Sequence, residues 1–211
     1  GGELPTSKLV EQALGRIDTE LAGQPAVQSE LYGVLAGVQD VLGNPQLALS
    51  GYQKAIELER TQDRPLVLAQ LLGELARLHR KSYSVAEAQA PARESLQLYE
   101  TNAPEPSEAL VSATITAGAI VSQVTGKAEE GEALLRKALA RAEALDPAGL
   151  GLVAALAELA THLARVGQLL EAEQQLRRAL EVASAHADGA IDALGIKEQL
   201  GAVLGKQRRF A

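Results

Sequence analysis

Chemistry in this chain would first be sought in two glycine-rich stretches and three histidines. Gly149-Leu150-Gly151-Leu152-Val153-Ala154 fits the spacing G-x-G-x-x-A. In dinucleotide sites that spacing lets bare backbone approach a pyrophosphate, but it needs a strand before it and an acidic residue about twenty positions later. Here a helical pattern, Lys137–Leu145, and then Asp146-Pro147 come first, so the glycines read as a turn leading into a helix. Gly201 to Gly205-Lys206-Gln207 has the outline of a phosphate loop, yet it is one residue short and carries Gln where Ser or Thr would reach Mg²⁺. His79, His162 and His186 have no second ligand at helical spacing, and the chain has no Cys, so no zinc set can be written. No Ser lies in a G-x-S-x-G elbow, and Glu129-Glu130 reads as a solvated helix start. Nothing in these residues asks for catalysis, a metal or a cofactor.

The elements that carry them are helical. Leu152, Leu156, Leu159, Leu163 and Val166 alternate steps of four and three, the stripe of one helix face. Gly167-Gln168 interrupts it, because glycine is cheap in a turn and costly inside a helix. A second stripe follows in Leu169, Ala172, Leu176, Ala179 and Ala183. Two such helices joined by a short turn fold back on each other and leave apolar sides that need further neighbours.

Composition agrees. The apolar content, 46% of 211 residues, comes from Ala, Leu, Val and Ile, with one Phe, four Tyr and no Trp, which suits closely packed helices. A net charge of −7 opposes phosphate-backbone binding, so no nucleic-acid partner is expected. The uncharged run Ala109–Gly126 reaches membrane-span length but contains Ser, Thr and Gln, and reads as a buried helix; no membrane association is expected. With no Met, and with Phe210-Ala211 closing inside an apparent helix, the sequence is expected to be a fragment of a longer protein. The absence of Cys fits a cytoplasmic, reducing compartment.

The pattern repeats. A small, x3, bulky, x2, small signature recurs as Ala48/Tyr52/Ala55, Ala88/Ala92/Ser95, Gly131/Leu135/Ala138 and Ala172/Leu176/Ala179, with spacings of 40, 43 and 41. The preceding helices align as Tyr32/Leu35/Ala36, Leu72/Leu75/Ala76, Ile115/Gly118/Ala119 and Leu156/Leu159/Ala160. Pro25, Pro65, Pro106 and Pro147 keep the same beat between pairs, and Gly43, Gly126 and Gly167 fall at the turns within them. The second repeat departs from the rule. It has Ser82-Tyr83-Ser84 at the turn, and Pro91 predicts a kink or a late start in its second helix. Glu132/Arg136 and Glu173/Arg177 read as exposed i,i+4 pairs on outer faces.

This signature, after a Leu-x2-Leu-Ala first helix, resembles the tetratricopeptide repeat (TPR), and the period near 41 resembles its long-helix, kinesin-light-chain-like form. Arg16–Leu31 also resembles the start of such arrays in bacterial kinase-associated regulatory proteins. The resemblance implies an all-α, right-handed α-solenoid of about ten helices, in one domain spanning 1–211. Its parts would be a half repeat at 8–21, repeats at 27–64, 66–102, 107–146 and 150–186, and a closing half at 190–211.

The resemblance further implies a non-enzymatic interaction module, a regulatory part of a larger bacterial protein, that binds a protein or peptide in a groove lined by first helices. The inward positions would be Glu30, Gly33, Gly37 and Asp40; Gln70, Gly73, Arg77, Arg80 and Lys81; Ala113, Thr116, Ile120 and Gln123; and Ala154, Ala157, Thr161, Ala164 and Arg165. Arg77, Arg80, Lys81 and Arg165 would then favour an acidic or amphipathic helical peptide over an apolar floor. Gly37, Arg77, Ile120 and Thr161 stand where chaperone-binding members carry the Asn of their carboxylate clamp, so that pattern is not matched. Two alternatives stay open: a homodimerisation element using Ala109–Gly126 or the array ends, and a small-molecule-sensing domain.

Overall fold

Helix starts and stops in this chain follow from Pro and Gly. Pro25, Pro45 and Pro65 each occupy the first helical position, where the missing N–H would have had no partner anyway. Gly43, Gly126 and Gly167 have φ of 77°, 76° and 87° and turn the chain inside hairpins, a backbone region open to residues without Cβ. In the computed structural model, residues 16–185 and 190–209 are described, without the side chains of 190–192, 208 and 209. A helical segment, α1, is described over 16–20. It is followed by α2 (Pro25–Val41), α3 (Pro45–Glu59), α4 (Pro65–Lys81), α5 (Val85–Asn102) and α6 (Glu108–Val121). Then come α7 (Ala128–Leu145), α8 (Leu150–Arg165), α9 (Leu169–Ser184) and α10 (Ala190–Arg209). No strand occurs among the described residues.

The chain divides into two compact units, Gly1–Asn102 and Ala103–Ala211. In the first, hairpins α2–α3 and α4–α5 stack through α3 against α4, and α2 also touches α4. In the second, hairpins α6–α7 and α8–α9 stack through α7 against α8, α6 touches α8, and α10 covers α9 and α8. First helices therefore neighbour first helices within each unit.

The small positions of the repeat signature are the helix crossings. Ala48, Ala55, Ala88, Ala92, Ser95, Leu135, Ala138, Ala172, Leu176 and Ala179 are all buried, and Tyr52 nearly so. Small side chains let the two backbones of a hairpin approach, and the bulky residue between them fills the gap. Gly131 is the tightest case: a Cβ there would lie 2.3 Å from the backbone N and Cα of Ser122. In the second unit Leu152, Leu156, Leu159 and Leu163 of α8 form the centre of the core, while Val166 is exposed.

Several local expectations are corrected. α5 begins at Val85 and runs through Pro91, so its start is not late. Proline deprives the Glu87 carbonyl of its helical donor, and Glu87 is exposed, where water can take that role. Glu132/Arg136 and Glu173/Arg177 are not merely outer-face pairs. Arg136 also reaches Glu171 (2.8 Å), Glu132 reaches His162 (3.2 Å), and Glu173 accepts from Gln207 (2.9 Å), so each pair joins neighbouring hairpins. His162 is buried and touches Arg165, one turn on, and Glu132, thirty residues away, a partner that helical spacing did not suggest. His186, residues 8–15 of the opening half repeat and residues 210–211 of the closing one lie outside the described residues. Among the described residues no helix is long and apolar enough to cross a membrane.

Candidate binding grooves

In the first unit the facing sides of α2 and α4 enclose an open cavity of about 580 Å³. That is within the range that holds a small ligand or a peptide side chain with its backbone. Of the residues expected to face inward, it is lined by Glu30, Gly33, Gly37, Asp40 and Gln70. Val34, Val41, Tyr52, Val67, Leu71 and Glu74 complete it. At Gly33 the helices press close together: a Cβ there would meet Leu71 Cδ2 at 2.8 Å. At Gly37 a Cβ would lie 3.4 Å from the Tyr52 hydroxyl, so the missing side chain is what opens that hydroxyl to the cavity.

Tyr52 is 5% exposed, and its hydroxyl has no hydrogen-bond partner among the described residues. Its pKa is pushed up to about 12, first by burial and then by the carboxylates of Glu74 and Asp40, against a smaller opposing effect of Arg77. It stays a neutral donor at any ordinary pH.

The charges around this cavity differ from expectation. Lys81 binds Asp40 at 2.7 Å, Arg77 binds Glu74, and Arg80 is likewise engaged. The lining itself contains Glu30, Asp40 and Glu74 but neither Lys nor Arg. Positive side chains on α4 neutralise the protein's own acids rather than projecting free into the groove. Glu30 pairs with Arg64 (2.5 Å), which is committed elsewhere too. Its guanidinium grips the fully buried carboxylate of Glu59 at 2.8 and 2.7 Å and donates to the Ala26 carbonyl at 3.1 Å. Ser29 supplies Glu59 with a further donor at 2.8 Å.

In the second unit Thr161, Ala164 and Arg165 line a cavity of about 400 Å³ between α8 and α10, with Ala160, Leu176, Gln199, Ala202, Val203 and Lys206. Ala154 and Ala157 line a smaller one, about 260 Å³, with Leu150, Val153, Gly195, Ile196 and Gln199. Arg165 is held by the Ser122 carbonyl and by His162 Nδ1 at 2.9 Å, whereas Lys206 has no partner among the described residues.

Four of the expected inward residues present no side chain to a groove. Gly73, Ala113, Thr116 and Ile120 are buried. Gly73 faces Ser95, whose Oγ would be 3.3 Å from an added Cβ, and is thus part of the α4–α5 crossing. α6 is apolar around most of its circumference and has no open face at the three other positions. Gln123 lies beyond the end of α6, exposed, and donates to the Ala119 carbonyl at 2.9 Å. Of the residues that sequence reasoning missed, Val34, Leu71 and Glu74 flank the counted positions on α2 and α4, and Tyr52 reaches the cavity from α3. Tyr52 was visible as the one polar bulky residue in the repeat signature. Gly149 caps the start of α8, and Gly201, Gly205 and Lys206 lie within α10, so neither glycine-rich stretch forms a phosphate cradle. Among the described residues no group of three or more His, Asp or Glu is arranged to hold a metal ion.

Paired helices, small residues at each crossing and first helices side by side define a helical-repeat fold of the TPR type. Solved structures of similar fold bear this out. BtubC (BKLC) from P. vanneervenii is 19% identical with a TM-score of 0.74, over 93% of this chain and 80% of that one. A Rap protein complexed with Competence and Sporulation Factor is 17% identical with a TM-score of 0.74, over 99% of this chain and 63% of that one. This chain thus spans less than two thirds of the Rap protein. A Podosopora anserina kinesin light chain with nearly identical TPR-like repeats is 18% identical, with a TM-score of 0.63, over 85% of this chain and 96% of that one. No protein-family model and no curated protein matches the sequence.

Proposed function

We propose that the chain is a non-enzymatic interaction module that binds a peptide or a segment of a partner protein against its first helices. The observation that carries this reading is the placement of the expected inward residues. Glu30, Gly33, Gly37, Asp40 and Gln70 line one open cavity, and Thr161, Ala164 and Arg165 line another. Both are lined by apolar and polar side chains together, the composition that lets a segment bury side chains while its backbone stays solvated. That the Rap protein of similar fold is complexed with a factor supports a binding role for this kind of array. Arg165 and Lys206 in the wall of the second unit's cavity favour a carboxylate side chain there, which keeps an amphipathic partner in view. A regulatory role inside a larger protein is part of the same reading.

The test is selection of a displayed random-peptide library on the intact 211-residue chain, followed by hydrogen exchange with a retained peptide bound. Slower exchange in α2 and α4, or in α8 and α10, is expected. Protection confined to α3, α5, α7 and α9, or no retained peptide at all, overturns the proposal.

A further inference from the structure

We infer that the cavity between α2 and α4 takes a cationic side chain, a Lys or Arg flanked by aliphatic residues in a guest peptide. The inference rests on the peptide-binding reading and adds the chemistry of the occupant. Three carboxylates line the cavity, those of Glu30, Asp40 and Glu74, and no basic residue does. The cations that accompany them stand outside the lining, and one of them is shared: Arg64 serves Glu30 and, through two bonds, the buried Glu59. Glu30 is therefore incompletely balanced, and it is the most exposed of the three. A guest ammonium or guanidinium would meet acceptors on the wall without having to displace a lining cation.

The floor points the same way. Tyr52 is nearly buried, yet it lines the cavity and its hydroxyl lacks a partner among the described residues, so it can donate to a backbone carbonyl of the guest. Val34 and Val41 are 64% and 86% exposed at the rim, an apolar surface for the flanking aliphatic residues. An acidic guest would meet those carboxylates on the wall and no cation in the lining, which disfavours it.

Gly37 gives a test that does not depend on breaking the fold. In Gly37→Ala the new methyl fits at 3.4 Å from the Tyr52 hydroxyl and covers it, while alanine in the interior of α2 improves helix propensity. The random-peptide library is selected in parallel on the intact wild-type chain and on the Gly37→Ala chain. Peptides retained by the wild type and lost from the variant should be enriched in Lys or Arg. Asp40→Asn and Glu74→Gln should each weaken those peptides by about tenfold and flatten the salt dependence of binding. A Gly37-dependent class rich in acidic or uncharged peptides overturns the inference and leaves the interaction reading intact. Retained peptides that are all indifferent to Gly37 also overturn it, with the reading then resting on the second unit's cavity. Retention of nothing defeats both. The melting temperature of Gly37→Ala, expected at or above that of the wild type, separates loss of the site from loss of the fold.

Discussion

Tyr83 stands in the same left-handed backbone position as Gly43: φ is 60° at the tyrosine and 77° at the glycine, each just past the first helix of its hairpin. The hydrogen bonds match one for one. Gly43 N donates to Asp40 O and Asn44 N to Gln39 O, while Tyr83 N donates to Arg80 O and Ser84 N to His79 O. The turn is therefore imposed by hairpin geometry, and in the second repeat a β-carbon is forced into it. A non-glycine residue there costs about 1–3 kcal/mol, and Tyr83 is 93% exposed, so its ring recovers little by packing. Tyr83→Gly is expected to stabilise the first unit by on the order of 1 kcal/mol, after the greater entropy of an unfolded glycine is subtracted. Thermal unfolding would show a rise of a few degrees; a fall would mean that the ring makes a contact of value.

Glu59 and Arg64 are the first unit's internal clamp. The carboxylate on α3 is fully buried, and the guanidinium that satisfies it belongs to the residue that precedes α4 and reaches back to the Ala26 carbonyl of α2. Removing one partner leaves a buried charge alone, so Arg64→Ala should cost about 3 kcal/mol, with Ser29 giving only partial relief. Replacing both, as in Glu59→Leu with Arg64→Leu, should recover most of that loss. Urea denaturation of the single and double variants decides it: additive losses would refute the idea that the uncompensated charge dominates.

How much of this could be read from the chain depended on whether the cause was local. Ala48, Ala88, Gly131 and Ala172 announced the period because a hairpin crossing excludes larger side chains wherever it occurs, and all four are buried. The Ser29 donor to the clamp was hidden because Ser29 and Glu59 are thirty residues apart, beyond any helical spacing. Gly73 and Ile120 were assigned to a groove by counting from aligned first helices, yet a helix presents its flanks as well as its centre. Where a neighbour covers the counted face, as at Gly73 beneath Ser95, the position becomes core. The boundary between the two compact units falls after Asn102, where α5 ends, and the Pro104-x-Pro106 spacing just beyond it was the available sign of that break.

Gly131 and Gly151 predict opposite outcomes for the same substitution in the second unit. A methyl at Gly131 would press on the backbone of Ser122 at 2.3 Å, which no rotamer change can relieve. Gly131→Ala should lose at least about 2 kcal/mol. At Gly151, in the first turn of α8, the nearest atom is Val111 Cγ1 at 3.7 Å, an ordinary contact. Gly151→Ala should gain about 0.5 kcal/mol from helix propensity. Chemical denaturation of both variants checks the pair, and equal effects would show that packing at the α6–α7 crossing is looser than the distances imply.

Tyr52 links the cavity to alkaline pH. A tyrosine whose folded pKa is raised contributes stability that is whole below its unfolded value, 10.0. It is lost as pH rises through the folded value of about 12, because over that window only the unfolded chain releases the proton readily. The phenolate absorbance lost in Tyr52→Phe should therefore titrate late. Asp40→Asn should bring the transition earlier by removing one of the charges that oppose ionisation. A Tyr52 transition at the ordinary value would mean that the hydroxyl is already solvated, and would weaken its assignment as a donor in the cavity.

Glu132 governs the acid side of the second unit. Burial acts to raise its pKa, but Arg136 and His162 together outweigh that and hold it below the usual 4.5. A depressed carboxylate contributes stability above its unfolded pKa that disappears as pH falls through the folded one. The contribution joins hairpins, because Glu132 lies on α7 and His162 on α8, while Arg136 also pairs with Glu171 on α9. Glu132→Gln keeps the shape and removes the charge. The variant should be less stable than the wild type near neutral pH, and the two should converge well below pH 4.5. Melting curves across that range provide the check. A gap that persists into acid would show that the side chain acts by packing and neutral hydrogen bonding, and that its charge contributes nothing to holding the two hairpins together.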